Sequence, residues 1–299
     1  MKHLNTNKII KISSVVGEKE EWFDLQNKIV PQKIKTYFTD LDNMIGGWTN
    51  GDLIVIGGRP AMGKTSLTIS MVNKMTKNGI SVALFTIENV KKIISVLLSI
   101  ICNIPIENIL RWELTDKDLN LINSCLDNDI SNRPLFINEN PNMDIESLCE
   151  QIKNVVRKEF VKIVFIDYLQ MVSVSGKNFD TRYEEINYIT RNLKLLAREL
   201  DIPIVLLSQL NRNLEEREGI NKRPILTDFR DSGTICDDVD LACFLFRPEY
   251  YRITEDEKGN SLLGVAELII AKQRFGQPNK VLLNFNSLCS KFDNYSYKD

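Results

Sequence analysis

Histidine is almost absent from this sequence, and the single one, His3, stands at its very start. This argues against a catalytic triad built around an imidazole. Cysteine offers no alternative chemistry. Cys102, Cys125, Cys149, Cys236, Cys243 and Cys289 are scattered with no CxxC pair among them, which argues against a zinc site or a disulfide framework and for reduced cytosolic thiols. Charge of one sign is missing as well, since 38 basic side chains face 40 acidic ones for a net charge of -2. No overall field draws in a polyanion, and any such binding needs local patches. Nor is there an apolar run of about 18 residues, the length of a membrane span, or an opening segment with the pattern of a secretory leader. The expected compartment is the cytoplasm, with no membrane partner.

What is present is enough for a large folded body. The chain has 299 residues, 43% of them hydrophobic. Residues 1–35 are polar and irregular, except that EEWFDLQNKI sets Trp22, Leu25, Gln26 and Ile29 at helical spacing and predicts a short amphipathic helix. From 36 to 299 the pattern is that of one domain. Apolar runs of strand length, DLIVIGG, SVALFTIE, KIVFIDYL, IPIVLLSQL, DLACFLFR and AELIIAKQR, alternate with helical segments. Continuous apolar strands separated by helices predict an α/β fold, a mainly parallel central sheet with helices on both faces. In TRYEEINYITRNLKLLAREL the positions Ile186, Ile189, Leu193, Leu196 and Leu200 form one apolar stripe, which reads as core packing. The polar stretch NRNLEEREGINKRP reads as a mobile surface loop.

GRPAMGKTS, residues 58–66, matches GxxxxGK followed by Ser or Thr, the phosphate-binding P-loop, between an apolar strand and the helix-compatible SLTISMVNKM. Gly58, Arg59, Pro60, Ala61, Met62 and Gly63 supply a loop whose glycines let backbone N–H groups converge on phosphate oxygens at a helix N-terminus. Lys64 supplies charge to the outer phosphates, Thr65 a hydroxyl for magnesium, and Ser66 opens the helix. ATP with Mg²⁺ is the expected cofactor pair. A second magnesium group is offered by KIVFIDYL, where Asp167 ends a buried strand at the edge where open α/β sheets bind ligands. Hydrolysis also needs a group to orient or deprotonate water. Glu88, ending SVALFTIE, is the candidate base, and Gln209, ending IPIVLLSQ, the candidate γ-phosphate sensor. Each of these alone also reads as a polar residue ending a strand; it is their common placement that raises them.

With these elements in order, the chain resembles the motor domain of DnaB-type replicative helicases, which are hexameric RecA-like ATPases. The resemblance runs from about Phe38 to about Asn294 and is carried by FTDLDNMIGGWTNGDLIVIGGRPAMGKTS, VFIDYLQMV, VLLSQLNR, TDFRDSGTICDDVDLACFLFR and AELIIAKQRFGQ. It implies a RecA-like P-loop NTPase fold, with Glu88 as catalytic glutamate, Asp167 as magnesium-associated aspartate and Gln209 as the link between nucleotide state and DNA-binding loops. It further implies that Lys272 and Arg274 of KQRFG reach the nucleotide of a neighbouring subunit. Arg230, Asp231 and Gly233 of DFRDSG would grip the backbone of single-stranded DNA in a central channel. Phosphate contacts of that kind bind without regard to base sequence.

The sequence also departs from the family. Thr86, Ile87, Glu88 and Asn89 stand where serine, leucine, glutamate and methionine are usual, and Asp231 replaces the usual glutamate. The N-terminal helical domain, which forms a collar and helps bind primase, has no counterpart in the short segment ahead of residue 36. The leading expectation is a homo-hexameric 5′–3′ helicase motor acting on single-stranded and forked duplex DNA, with primase or a loader protein as a partner. The alternative is a RecA-like ATPase module that loads or regulates another helicase.

Overall fold

In a computed structural model, residues 32–140, 143–229 and 235–296 are described. The segment around Trp22 and the loop bearing Arg230, Asp231 and Gly233 lie outside them. Among the described residues a nine-stranded sheet organises the chain. Its strands are β1 (Leu53–Gly58), β2 (Val82–Thr86), β3 (Leu135–Glu139), β4 (Ile163–Asp167), β5 (Ile204–Gln209), β6 (Leu241–Phe246), β7 (Val265–Gln273), β8 (Asn279–Asn286) and β9 (Lys291–Asn294). They lie side by side in the order β9-β8-β7-β6-β1-β5-β4-β2-β3. Every pair from β6 to β3 is parallel, and β7, β8 and β9 add an antiparallel flank.

Alternation along the strands divides the core between two faces. Ile54 and Ile56 of β1, with Phe165, Val205 and Leu207, pack under α1 (Lys64–Lys77) and α2 (Val90–Cys102). Leu53 and Val55, with Val164, Ile166, Ile204 and Leu206, pack under α3 (Ile145–Glu159) and α4 (Arg182–Leu200). The stripe Ile186, Ile189, Leu193 and Leu196 lies in this second core, and Leu200 is half-buried against it. The strands are apolar on both faces because both faces are covered.

Two stretches add detail that their sequence pattern does not carry. AELIIAKQR is a strand, but it runs antiparallel to its neighbours on both sides. NRNLEEREGINKRP is more than a polar surface loop. It is a series of 3₁₀ turns with Leu214 fully buried. Arg217 forks onto the buried Asp228, and Arg223 forks onto the buried Glu267 at 2.6 and 2.7 Å. Polar composition suggested solvation, whereas these charges are spent on partners within the chain.

One close approach fixes where this segment ends. Gly57, in the middle of the sheet, has no room for a side chain. A Cβ there would fall 2.8 Å from the ring of Phe229 and 2.9 Å from Leu210 and Phe244. Phe229, which also bridges to Leu210, therefore rests directly on the β1 backbone. It is the last residue before 230–234.

Candidate nucleotide site

The site is built at the C-terminal edge of the parallel strands, where chain segments leave the sheet. β1 ends at Gly58, and the chain turns through Ala61 and Gly63, both with positive φ, into α1. Gly63 is in the left-handed region, φ 94°, and caps α1 without any side-chain bond to its first turn. A Cβ on Gly63 would press at 3.1 Å on the Phe292 ring, so glycine is needed there for both conformation and space. The result is a helix N-terminus whose first N–H groups face the loop they follow, the arrangement that binds phosphate. Met62 anchors this loop in the core.

Lys64 folds back over the loop and donates to the carbonyls of Gly58 at 2.7 Å and Arg59 at 3.2 Å. Burial, against the opposing pull of Asp167 and with a smaller push from Arg59, brings its ammonium down to about 8. Protonated Lys64 is the form that attracts phosphate. Affinity of the free protein for ATP is accordingly expected to fall as pH rises through about 8, by at most about tenfold per pH unit. Titration with a fluorescent nucleotide from about pH 7 to about pH 9.5 measures this, and Lys64→Arg, which keeps its charge, should flatten the decline.

Thr65 donates from Oγ1 to Asp167 Oδ2 at 2.7 Å. Asp167 ends β4 in register with Thr86 at the end of β2. Its carboxyl is almost fully buried, and burial raises its pKa, with Thr65 and Lys64 opposing and Glu88 adding to the rise. This donor set suits magnesium, a hard cation that takes one or two protein oxygens and completes its octahedron with phosphate and water. Among the described residues no three His, Cys, Asp or Glu side chains gather, and a magnesium ion bound here would be held by Asp167 and Thr65.

Glu88 is not at the strand end. β2 stops at Thr86, whose hydroxyl accepts from the Glu88 N–H at 3.0 Å. Two residues of turn let the carboxylate stand off the sheet, 43% exposed, 3.6 Å from Lys92 and near enough to Asp167 to raise it. Gln209 does end its strand, paired in register with Gly58. Its N–H donates to Gln170 Oε1 at 3.2 Å, and Gln170 Nε2 donates to Ser208 at 3.0 Å. Gln170 escaped the sequence reading because a lone glutamine in YLQMV has no motif to mark it.

Lys272 and Arg274 are not brought to this edge. Gln273 pairs with Leu241, and Leu241 pairs with Ile54 near the start of β1, whereas the P-loop begins at Gly58. At about 3.3 Å per residue, four residues of β1 alone separate the two ends by about 13 Å. Lys272 Nζ donates to Val239 O at 2.9 Å. Arg274, 56% exposed, donates to Asp240 at 3.0 Å from its side chain and 2.8 Å from its backbone. Asp240 is buried and also binds Lys194 and the Leu53 N–H. Its role was not legible because its partners come from separate stretches of chain.

Comparison with known proteins agrees with this fold. The family model of the DnaB-like helicase C terminal domain matches residues 33–294. The chain is 34% identical over 263 residues to the replicative DNA helicase DnaB of Geobacillus stearothermophilus and 35% over 263 to the replicative DNA helicase DnaC of Bacillus subtilis. Each alignment covers 87% of this chain and 56% of the relative, so the chain spans about half the length of the curated relatives it matches. Among solved structures, one described as an ATPase domain superposes with a TM-score of 0.84 at 29% identity, covering 97% of this chain and 100% of that one. A DnaB-like replicative helicase whose structure is described with its interactions with primase gives 0.81 at 30% identity, covering 94% of this chain and 67% of that one. These neighbours share the RecA-like ATPase fold, and no helix among the described residues is long and apolar enough to cross a membrane. With the matched region spanning the sheet, the phosphate loop and the Asp167 strand alike, this chain belongs to the DnaB-like helicases and carries their C-terminal domain.

Proposed function

We propose that this chain is the ATP-driven motor of a ring helicase, six copies arranged head to tail, that moves 5′ to 3′ on single-stranded DNA and opens forked duplexes. The observation that carries the reading is the division of charged groups between opposite edges of one sheet. Lys64, Thr65, Glu88, Asp167 and Gln209 stand at one edge, and Lys272 and Arg274 at the other. A head-to-tail contact joins the two sets, and a contact of that kind closes into a ring when its rotation permits.

In this reading Lys64 holds the outer phosphates, and Thr65 and Asp167 hold magnesium, which when bound neutralises charge on the β- and γ-phosphate oxygens. Glu88 orients the attacking water and accepts its proton. The neighbour's Arg274 and Lys272 stabilise charge on the transferred phosphoryl group. Gln209 senses the phosphate and passes its state to the stretch leading to Arg230, Asp231 and Gly233, which grip the DNA backbone. The primase named for one structural relative makes primase, together with a loader protein, the natural partner. Strand displacement tests the proposal. A fork with a 5′ single-stranded tail should be unwound in the presence of ATP and magnesium, and a duplex with only a 3′ tail should not. ATPase activity indifferent to single-stranded DNA, without unwinding, would favour a module that loads or regulates another helicase.

A further inference from the structure

Arg59 lies inside the phosphate loop, yet its side chain points away from Lys64 and Thr65 to the segment after β5. It is 13% exposed. Its Nη1 donates to the Leu210 carbonyl at 2.9 Å, one residue beyond Gln209, and its Nε donates to Glu215 Oε1 at 2.9 Å. The same Glu215 oxygen accepts from the Tyr251 hydroxyl at 3.2 Å, and the Glu215 carbonyl accepts from Lys222 Nζ. Beyond Glu215 the contacts continue in one direction. Arg217 forks onto Asp228, the Asp228 carbonyl accepts from Asn211 N–H at 2.7 Å, and Phe229 rests on Gly57 and Leu210. Charged and backbone bonds, joined through the chain from Glu215 to Arg217, thus run from the P-loop to the residue before 230–234.

We propose that Glu215 is a positioning residue that couples the nucleotide loop to the DNA-binding stretch. Through Arg59 it ties any shift of the phosphate loop to the segment 210–229, whose far end leads into the DNA-binding residues. The inference rests on the helicase reading above and adds a residue to it. A carboxylate suits the task better than a neutral group. Glu215 is 37% exposed, and an arginine–carboxylate bond is shorter and stronger than a neutral one. Glu215 stands outside the phosphate loop and meets it through Arg59, so its removal should spare nucleotide binding and basal hydrolysis while weakening their link to DNA, of which the Arg59–Leu210 bond is left.

Glu215→Gln in the full chain, assembled with nucleotide, is the test. Three quantities are read: affinity for a fluorescent ADP analogue, basal ATP turnover, and turnover with oligothymidine. Affinity and basal turnover should stay within about twofold of wild type, while stimulation by oligothymidine falls about tenfold. Tyr251→Phe, which leaves the ion pair in place, should lose less. Glu215→Asp, which keeps the charge but withdraws it by a methylene, carries the same expectation independently, so instability of the glutamine variant does not shelter the proposal. Undiminished stimulation in either Glu215 variant overturns it. So does a parallel fall in affinity, basal turnover and stimulation, which would mark a merely structural bond. Absence of stimulation in the wild type would instead overturn the helicase reading itself.

Discussion

Replacing Arg274 by alanine is expected to slow ATP turnover by about 10³-fold or more while leaving nucleotide affinity close to that of the wild type. The size of the effect follows from what an arginine supplied by a neighbour contributes to phosphoryl transfer: charge placed where it develops, in a site that excludes water. Retained affinity follows from the strand register, which keeps Arg274 at the far edge of the sheet from its own P-loop. Folding should survive. Arg274 is more than half exposed, and Asp240 keeps Lys194 and the Leu53 N–H as partners when the guanidinium is gone. The same geometry yields a stronger form of the experiment. Lys64→Ala ruins the phosphate loop but leaves Arg274 intact, so each variant alone should be inactive. Mixed, they form some interfaces pairing a sound phosphate loop with a sound arginine, and part of the activity should return. A mixture no more active than its components would show that Arg274 does not act across an interface.

Glu88→Gln should cost about 10² to 10⁴ in turnover, the span associated with losing a general base. Rapid quench measurements of a single turnover read the loss at the chemical step. The substitution is structurally mild, because the carboxylate's ion pair is the 3.6 Å contact with Lys92 one helical turn away, worth about 0.3–0.5 kcal/mol. It also removes a negative charge that raises Asp167, so Asp167 ionises more readily in the variant than in the wild type. Whether a fall in turnover comes from weakened magnesium binding is read from the magnesium dependence. Magnesium dependence unchanged in midpoint, with a collapsed maximum rate, is the expected pattern, and a rate within a few-fold of wild type would remove Glu88 from the chemistry.

The phosphate loop and the Asp167 strand were legible because their signals are local. Gly58 to Ser66 form a contiguous pattern, and the run IVFID needs nothing outside itself to read as a buried strand. The parallel half of the sheet was legible for the same reason. What sequence could not supply was pairing. Leu135–Glu139 is half-buried at the sheet's edge, so its apolar run is short and carries little signal of its own. The antiparallel flank of β7, β8 and β9 depends on which strand lies next to which, and alternation within a strand says nothing about its direction. The separation of Arg274 from its own phosphate loop was implied by family resemblance alone, since distance across a sheet depends on strand order. NRNLEEREGINKRP misleads because composition counts charges without revealing that Arg217 and Arg223 have buried carboxylates waiting for them. Glu88 looks like a strand end because SVALFTIE is continuous on paper. Thr86 closes the strand with its own hydroxyl, and the turn that follows gives the carboxylate its reach.

Asp240 and Leu53 are joined by a backbone bond at 2.9 Å and a side-chain bond at 3.0 Å, and Arg274 is fixed to the same Asp240. Arg274 is thereby bolted to the foot of the strand whose tip becomes the phosphate loop. Within one subunit the two edges stand at a fixed separation, like the ends of a short rigid beam. In the proposed ring of such beams, opening or closing a catalytic site would require one whole subunit to turn against the next. Angles between neighbours, rather than bending within any one of them, would then be the variable that ATP controls.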